Sequence, residues 1–162
     1  MRTLLYLLAL CTIASVAEAQ GSKATRIFVG FPPGQPTDLI ARQLAERLSP
    51  ALDERIIVEN RPGQGGSVVL AQLARLQPDG TNMALAPLAS MVVNPRLYKS
   101  VGYDTLADFE HVALVADLPF VLVANRSLPA KTLRELLAYA KANPDQLTHP
   151  SSGVGTLSHI GM

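Results

Sequence analysis

The 162-residue chain has no tryptophan, one cysteine and few aromatic residues, 5% in all. An aromatic platform for stacking sugars or bases is therefore excluded. Charge is scarce and balanced: 14 Lys+Arg against 13 Asp+Glu leave a net charge of +1. That argues against a broad basic surface for nucleic acid and against a highly charged disordered chain. No HExxH pair and no cluster of His and carboxylates stands near His111, His149 or His159, so no metal is expected. No GxxxxGK[ST] loop occurs, and Gly153-Val154-Gly155-Thr156-Leu157-Ser158 lacks the third glycine of a dinucleotide fingerprint. No cofactor is expected. No apolar run reaches the roughly 20 residues that span a bilayer.

What is present begins with a short basic head, Met1-Arg2-Thr3, and an uncharged, mostly apolar run from Leu4 to Val16. Ala17-Glu18-Ala19 supplies small residues at the positions read by signal peptidase, which predicts a signal peptide over 1–19 cleaved before Gln20. The lone Cys11 lies inside that run, preceded by Leu10 rather than the small residue of a lipoprotein box. A mature chain starting at Gln20 would hold no thiol, hence no disulfide, thiolate metal site or cysteine nucleophile, which suits an oxidising periplasm.

The remainder is rich in apolar residues and reads as alternating strands and helices. Arg26–Phe31 predicts a strand, closed by Pro32-Pro33-Gly34. Asp38–Ser49 predicts a helix with Thr37 or Asp38 as N-cap, Ile40, Leu44 and Leu48 on its buried stripe, and Pro50 as its stop. Arg55–Glu59 predicts a second strand and Ser67–Leu76 a second helix, with Val69, Leu70, Leu73 and Leu76 inward. Asn82–Ala86 predicts a third strand. This βαβαβ order implies an α/β fold with a parallel sheet covered by helices. A short helix over 88–93 should stop at Asn94-Pro95. Glu110–Asp117 and Phe120–Asn125 predict two strands divided by Pro119. Leu133–Ala142 predicts an amphipathic helix, and a glycine-rich loop then leads into the start of another. The ending, Gly161-Met162, suggests a chain cut off inside an element.

Two loops could carry chemistry. Phe31–Asp38 joins a strand to a helix at the carboxyl edge of the predicted sheet, where ligands of open α/β sheets bind and where helix N-termini favour anions. Gly34 would allow close backbone approach and Thr37 adds a hydroxyl, while Asp38 is repulsive to an anion and better suited to capping. The second loop, Ser151–His159, combines Gly153 and Gly155 with the hydroxyls of Ser151, Ser152, Thr156 and Ser158, an uncharged cradle for a carboxylate or phosphate. Each also reads as an ordinary turn. Asn60–Gly66 reads better as a solvent-side turn than as a phosphate nest. Ser152 and His159 are the nearest approach to a serine nucleophile and base, but no GxSxG elbow frames the serine.

The ordered set of short motifs resembles the periplasmic solute-binding proteins of tripartite tricarboxylate transporters, the Bordetella uptake gene family. It comprises Phe31-Pro32-Pro33-Gly34 with Thr37-Asp38, Glu59–Gly63 with Gly65-Gly66, and Pro78-Asp79-Gly80. Asn94-Pro95 with Leu97-Tyr98, Tyr103-Asp104 with Asp108-Phe109, Ser127–Lys131, Ala140–Pro144 and Ser151-Ser152-Gly153 with Gly155-Thr156 and Ser158-His159 complete it. The resemblance runs from about Arg26 to His159. It implies a Venus-flytrap architecture: a first α/β lobe over 20–118 and the beginning of a second over 119–162, the change falling near Val115–Asn125. It also implies capture of a small carboxylate (a tricarboxylate, dicarboxylate or acidic amino acid) and delivery to the membrane subunits of a transporter. Such a protein is not an enzyme and is monomeric when full-length.

The residues carried over as ligand-binding are Phe31, Pro33, Gly34, Thr37, Ser151, Ser152, Gly153, Thr156 and His159, with the turn at Ala89 and Ser90 added less firmly. Gln35 stands where the family has a second glycine, and could donate to the ligand or narrow the pocket. Gly30 replaces a common proline, Pro87 a small hydroxyl residue and Pro150 a small residue. Two other roles remain open: a ligand sensor docking to a regulatory receptor, and a hydrolase of carboxylates or esters.

Overall fold

A computed structural model describes residues 24–162. The signal-peptide reading of residues 1–19 and the position of Cys11 lie outside the described residues. Three parallel strands, β1 (Thr25–Val29), β2 (Ile56–Asn60) and β3 (Asn82–Leu85), form a sheet in the order β2-β1-β3. Ile27 pairs with Val58 on one side and Met83 on the other. The expected α/β fold with a parallel sheet is therefore present.

β1 is the middle strand and is buried on both faces, as its almost unbroken apolar run requires. Its alternation sorts the core. Ile27 and Val29 point to the face covered by helix α1 (Pro36–Leu52), packing with Phe31, Ala41 and Ala45. Phe28 points to the other face, against Val69 and Leu70 of helix α2 (Ser67–Leu73), with Tyr103 and Phe109 at the margin.

Several boundaries differ from the sequence expectation. α1 begins at Pro36, its N-cap is Gln35 rather than Thr37 or Asp38, and it continues through Pro50. Proline at the first helical position loses no bond the helix would have made. Pro50 lies in the last turn, where it removes one hydrogen bond near an end that frays anyway. Asp53 then closes the helix in the left-handed conformation, its N–H donating to the Ser49 carbonyl. The fully buried residues of α1 are Asp38, Ala41 and Ala45, while Ile40, Leu44 and Leu48 are half-buried, Leu44 packing against the same core; small alanines let the helix approach the sheet. α2 ends at Leu73, leaving Leu76 exposed.

After β3 the chain makes a π-helical turn, Ala89–Val93, that runs directly into helix α3 (Asn94–Leu97). Asn94-Pro95 thus starts a helix instead of stopping one. The two strands expected over 110–125 are absent: that stretch has no regular secondary structure and is exposed throughout. Val112 and Val123 are more than four-fifths accessible. A strand is stabilised by a partner ladder, and among the described residues none pairs with this stretch. Helix α4 (Leu133–Ala142) has the expected bounds, and helix α5 (Leu157–Ile160) follows the glycine-rich loop. Among the described residues no helix is long and apolar enough to cross a membrane.

Candidate functional site

The β1–α1 loop is held by Asp38, whose side chain is buried at the third position of α1. One carboxylate oxygen accepts from the Gly34 N–H at 2.8 Å and from Arg42 Nε at 3.0 Å. The other accepts from Arg42 Nη2 at 3.0 Å and from Asn60 Nδ2 at 2.8 Å. Asn60 Nδ2 also donates to the Phe31 carbonyl at 3.0 Å, tying the end of β2 to the loop after β1. The hydrogen bonds from Arg42, Gly34 and Asn60 stabilise the ionised form and hold the carboxyl pKa down at about 2. Asp38 thus ties the loop together instead of capping the helix as expected.

This arrangement changes the anion reading of the loop. The Gly34 amide is already donated to Asp38, Pro36 has no N–H, and the Leu39 N–H returns to the Gln35 carbonyl at 3.0 Å. The Gly34 amide is thus not offered to a ligand, while the helix end itself has no side-chain cap.

A second cluster shapes the β2–α2 loop. A short 3₁₀ turn, Gln64–Gly66, leads into α2, and Gln64, Gly65 and Gly66 all have positive φ. The buried Asn94 amide nitrogen donates to the Gln64 carbonyl at 3.0 Å and to Ser67 Oγ at 2.9 Å. Ser90 Oγ donates to the Gly65 carbonyl at 2.8 Å. The Tyr103 hydroxyl donates to the Ser90 carbonyl, and burial pushes its pKa up. Ala89 and Ser90 are therefore interior supports, fully packed behind the loop. Gly30 is required here sterically: a Cβ would lie 2.4 Å from Gly66 Cα, so the β1 and β2 loops meet backbone to backbone.

The Ser151–His159 segment reaches the same place. Tyr98 Oη donates to the Val154 carbonyl at 2.8 Å across 56 positions of sequence. Gly155 lies over Asn94, where a Cβ would come within 2.4 Å of Asn94 Oδ1. Most of the hydroxyls expected to face a ligand fold the loop instead. Thr156 Oγ1 donates to the Gly153 carbonyl at 2.7 Å, Ser158 Oγ accepts from the Ser152 N–H at 3.1 Å, and Ser151 Oγ accepts from the Gly153 N–H at 3.4 Å. The Ser152 hydroxyl alone of this group makes no hydrogen bond to the described protein.

These loops enclose a cleft of about 370 Å³. Gly30, Phe31 and Pro32 form one wall, Ser152, Gly153 and Val154 a second, and Pro62 to Gly65 with Tyr98 a third. No charged side chain lines it. Of the sequence-derived site residues, the cleft brings together Phe31, Ser152 and Gly153. Pro33, Gly34, Gln35, Thr37, Ala89, Ser90, Ser151, Thr156 and His159 are outside its lining. No hydrogen bond joins Ser152 to His159, and His159 is exposed. No group of three metal-binding side chains occurs among the described residues. Sequence reasoning missed the third wall by treating 60–66 as a solvent turn, and missed Tyr98. The signal available was the run of small residues at Gly63, Gly65 and Gly66, which permits close loop packing. A larger open depression along Leu133, Leu137 and Lys141 is the uncovered face of α4.

Residues 40–162 match the profile described as the tripartite tricarboxylate transporter family receptor. A UPF0065 protein of Bordetella pertussis is 38% identical over 96% of this chain and 48% of its own length. Protein BugT of the same organism is 33% identical over 89% of this chain and 44% of its own. Among solved structures, the periplasmic binding protein BugD superposes with a TM-score of 0.74 at 37% identity, covering 85% of this chain and 46% of its own. A Rhodopseudomonas palustris protein solved with adipate gives 0.79 at 29% identity, over 85% of this chain and 46% of its own. A second from that organism, MatC with bound malate, gives 0.68 at 29% identity, over 74% of this chain and 40% of its own. The chain spans about half the length of the relatives it matches. It belongs to the tripartite tricarboxylate transporter receptor (TctC) family and has the α/β fold of a periplasmic binding protein.

Proposed function

We propose that this chain supplies the first lobe, over 20–118, and the opening of the second, over 119–162, of an exported receptor for a small carboxylate. The signal-like residues 1–19 direct it to the periplasm, and the membrane subunits of a transporter take the ligand from it. The observation that carries this reading is the convergence of the Gly30–Pro32 and Ser152–Val154 walls, 120 positions apart in sequence, on one uncharged cleft. Adipate and malate in two structural neighbours support a carboxylate as the class of ligand. The role is binding: the cleft presents an unpaired serine hydroxyl and backbone, with no base hydrogen-bonded to that serine. Hinge closure of the two lobes would trap the ligand.

Thermal-shift and calorimetric titration of the intact gene product with succinate, malate, adipate, citrate and glutamate tests this. A ligand that binds only the native state raises Tm. Absence of any shift across the panel overturns the reading. Ser152→Ala should weaken the best ligand about tenfold, the worth of one hydrogen bond of about 1–1.5 kcal/mol.

A further inference from the structure

We propose that Gln64 is a specificity-determining residue of the cleft, its side-chain amide binding the part of the ligand that lies against the Pro62–Gly65 wall. This rests on the binding role above. Three independent features single it out. Gln64 lines the cleft together with Ser152–Val154. The residue is exposed and its side chain makes no hydrogen bond to the protein; only its backbone carbonyl is engaged, by Asn94 and the Ser67 N–H. Its φ is +45°, in the left-handed region that costs a residue with a side chain and that glycine enters freely.

The loop does not need a side chain at this point. Gly63, Gly65 and Gly66 flank Gln64, and the loop is held from outside by Asn94 at the Gln64 carbonyl and by Ser90 at the Gly65 carbonyl. A glycine would satisfy the same geometry with less strain. A strained, exposed residue that lines a cleft and whose side chain makes no hydrogen bond to the protein is placed for what enters the cleft. An amide both donates and accepts, so it suits a hydroxyl, a carboxamide or a carboxylate oxygen. The walls carry no cation, so a second ionised carboxylate on this side would lose its hydration without a compensating charge. Gln64 therefore favours ligands whose group on this side is uncharged and polar over those with a second carboxylate there.

The experiment compares wild type, Gln64→Gly and Gln64→Glu of the intact gene product by calorimetry and thermal melting. The probes are succinate, its monoamide succinamate, malate and butyrate. The expected result is tighter binding of succinamate than of succinate, malate or butyrate in wild type, with that preference falling about tenfold or more in Gln64→Gly. Tm without ligand should stay level or rise in Gln64→Gly, because the strain is relieved. Gln64→Glu should weaken succinate more than succinamate. A wild type that binds none of these probes or the wider carboxylate panel overturns the binding role itself. Binding in wild type with the same preferences in Gln64→Gly overturns the role of Gln64 alone. A lowered Tm in Gln64→Gly with unchanged preferences assigns the residue to the turn and also overturns it.

Discussion

Asp38 is the one charged residue with a buried side chain among the described ones, and it organises two loops at once. Buried carboxylates persist when their oxygens are saturated, and here Gly34, Arg42 and Asn60 saturate both. Its folded pKa of about 2 lies below the ordinary 3.8, so ionised Asp38 contributes stability that is fully present above about pH 4 and is lost as pH falls towards 2. Asp38→Asn should flatten that part of the acid limb in a pH series of urea melts, as well as lowering Tm at pH 7. Asn94 shows the complementary case. Its amide nitrogen is shared among Gln64, Gly65 and Ser67, but its carbonyl oxygen is buried with no hydrogen-bond donor.

Among the elements, α4 is the one whose formation owes most to local chemistry. Thr132 Oγ1 accepts from the Glu135 N–H at 3.2 Å, and the Glu135 carboxylate accepts from the Thr132 N–H at 3.2 Å, a reciprocal capping box. No residue of α4 is buried, so capping and propensity carry it without a packed face. Thr132→Ala should therefore cost about 1 kcal/mol of local helix stability. Amide exchange over 133–142 should accelerate about fivefold while exchange in β1 stays unchanged. The 110–125 stretch is the opposite case. Its β-rich composition was legible, but β-structure depends on a partner strand and composition cannot supply one. The same dependence explains why α1 buries Ala41 and Ala45 completely and Leu44 only in part: the closest approach to the sheet falls where the side chains are small.

At the scale of the molecule, apolar surface is unevenly covered. Phe120, Val121, Val123, Leu133 and Leu137 are all more than half exposed, along with Val112 and Leu114. Patches of this kind mark surfaces that another element or molecule covers. Residues 20–162 produced alone should bind a hydrophobic dye, associate with rising concentration in sedimentation velocity, and melt over a broad range. Substituting Val121 and Val123 by Lys should reduce both dye binding and association. A sharp, concentration-independent melt of residues 20–162 would contradict this expectation. None of these residues lines the cleft, whose walls are tied by Tyr98 to Val154 and by Asn94 to Gln64.

The sequence by itself determined the βαβαβ order, the parallel sheet, the bounds of α4 and the family, because these follow from local periodicity, turn residues and an ordered set of short motifs. Of the loop residues it singled out, Phe31, Ser152 and Gly153 line one cleft. Tertiary structure alone decided the rest. Whether a hydroxyl faces a ligand or folds its own loop depends on what lies opposite, so Thr156 and Ser158 left the cleft while Ser152 stayed. Whether Gly30 serves flexibility or contact depends on Gly66, thirty-six positions away. Gln64 came to face the cleft only because Asn94, Ser90 and Tyr98 hold distant segments around it, and long-range contact has no local signature in a chain.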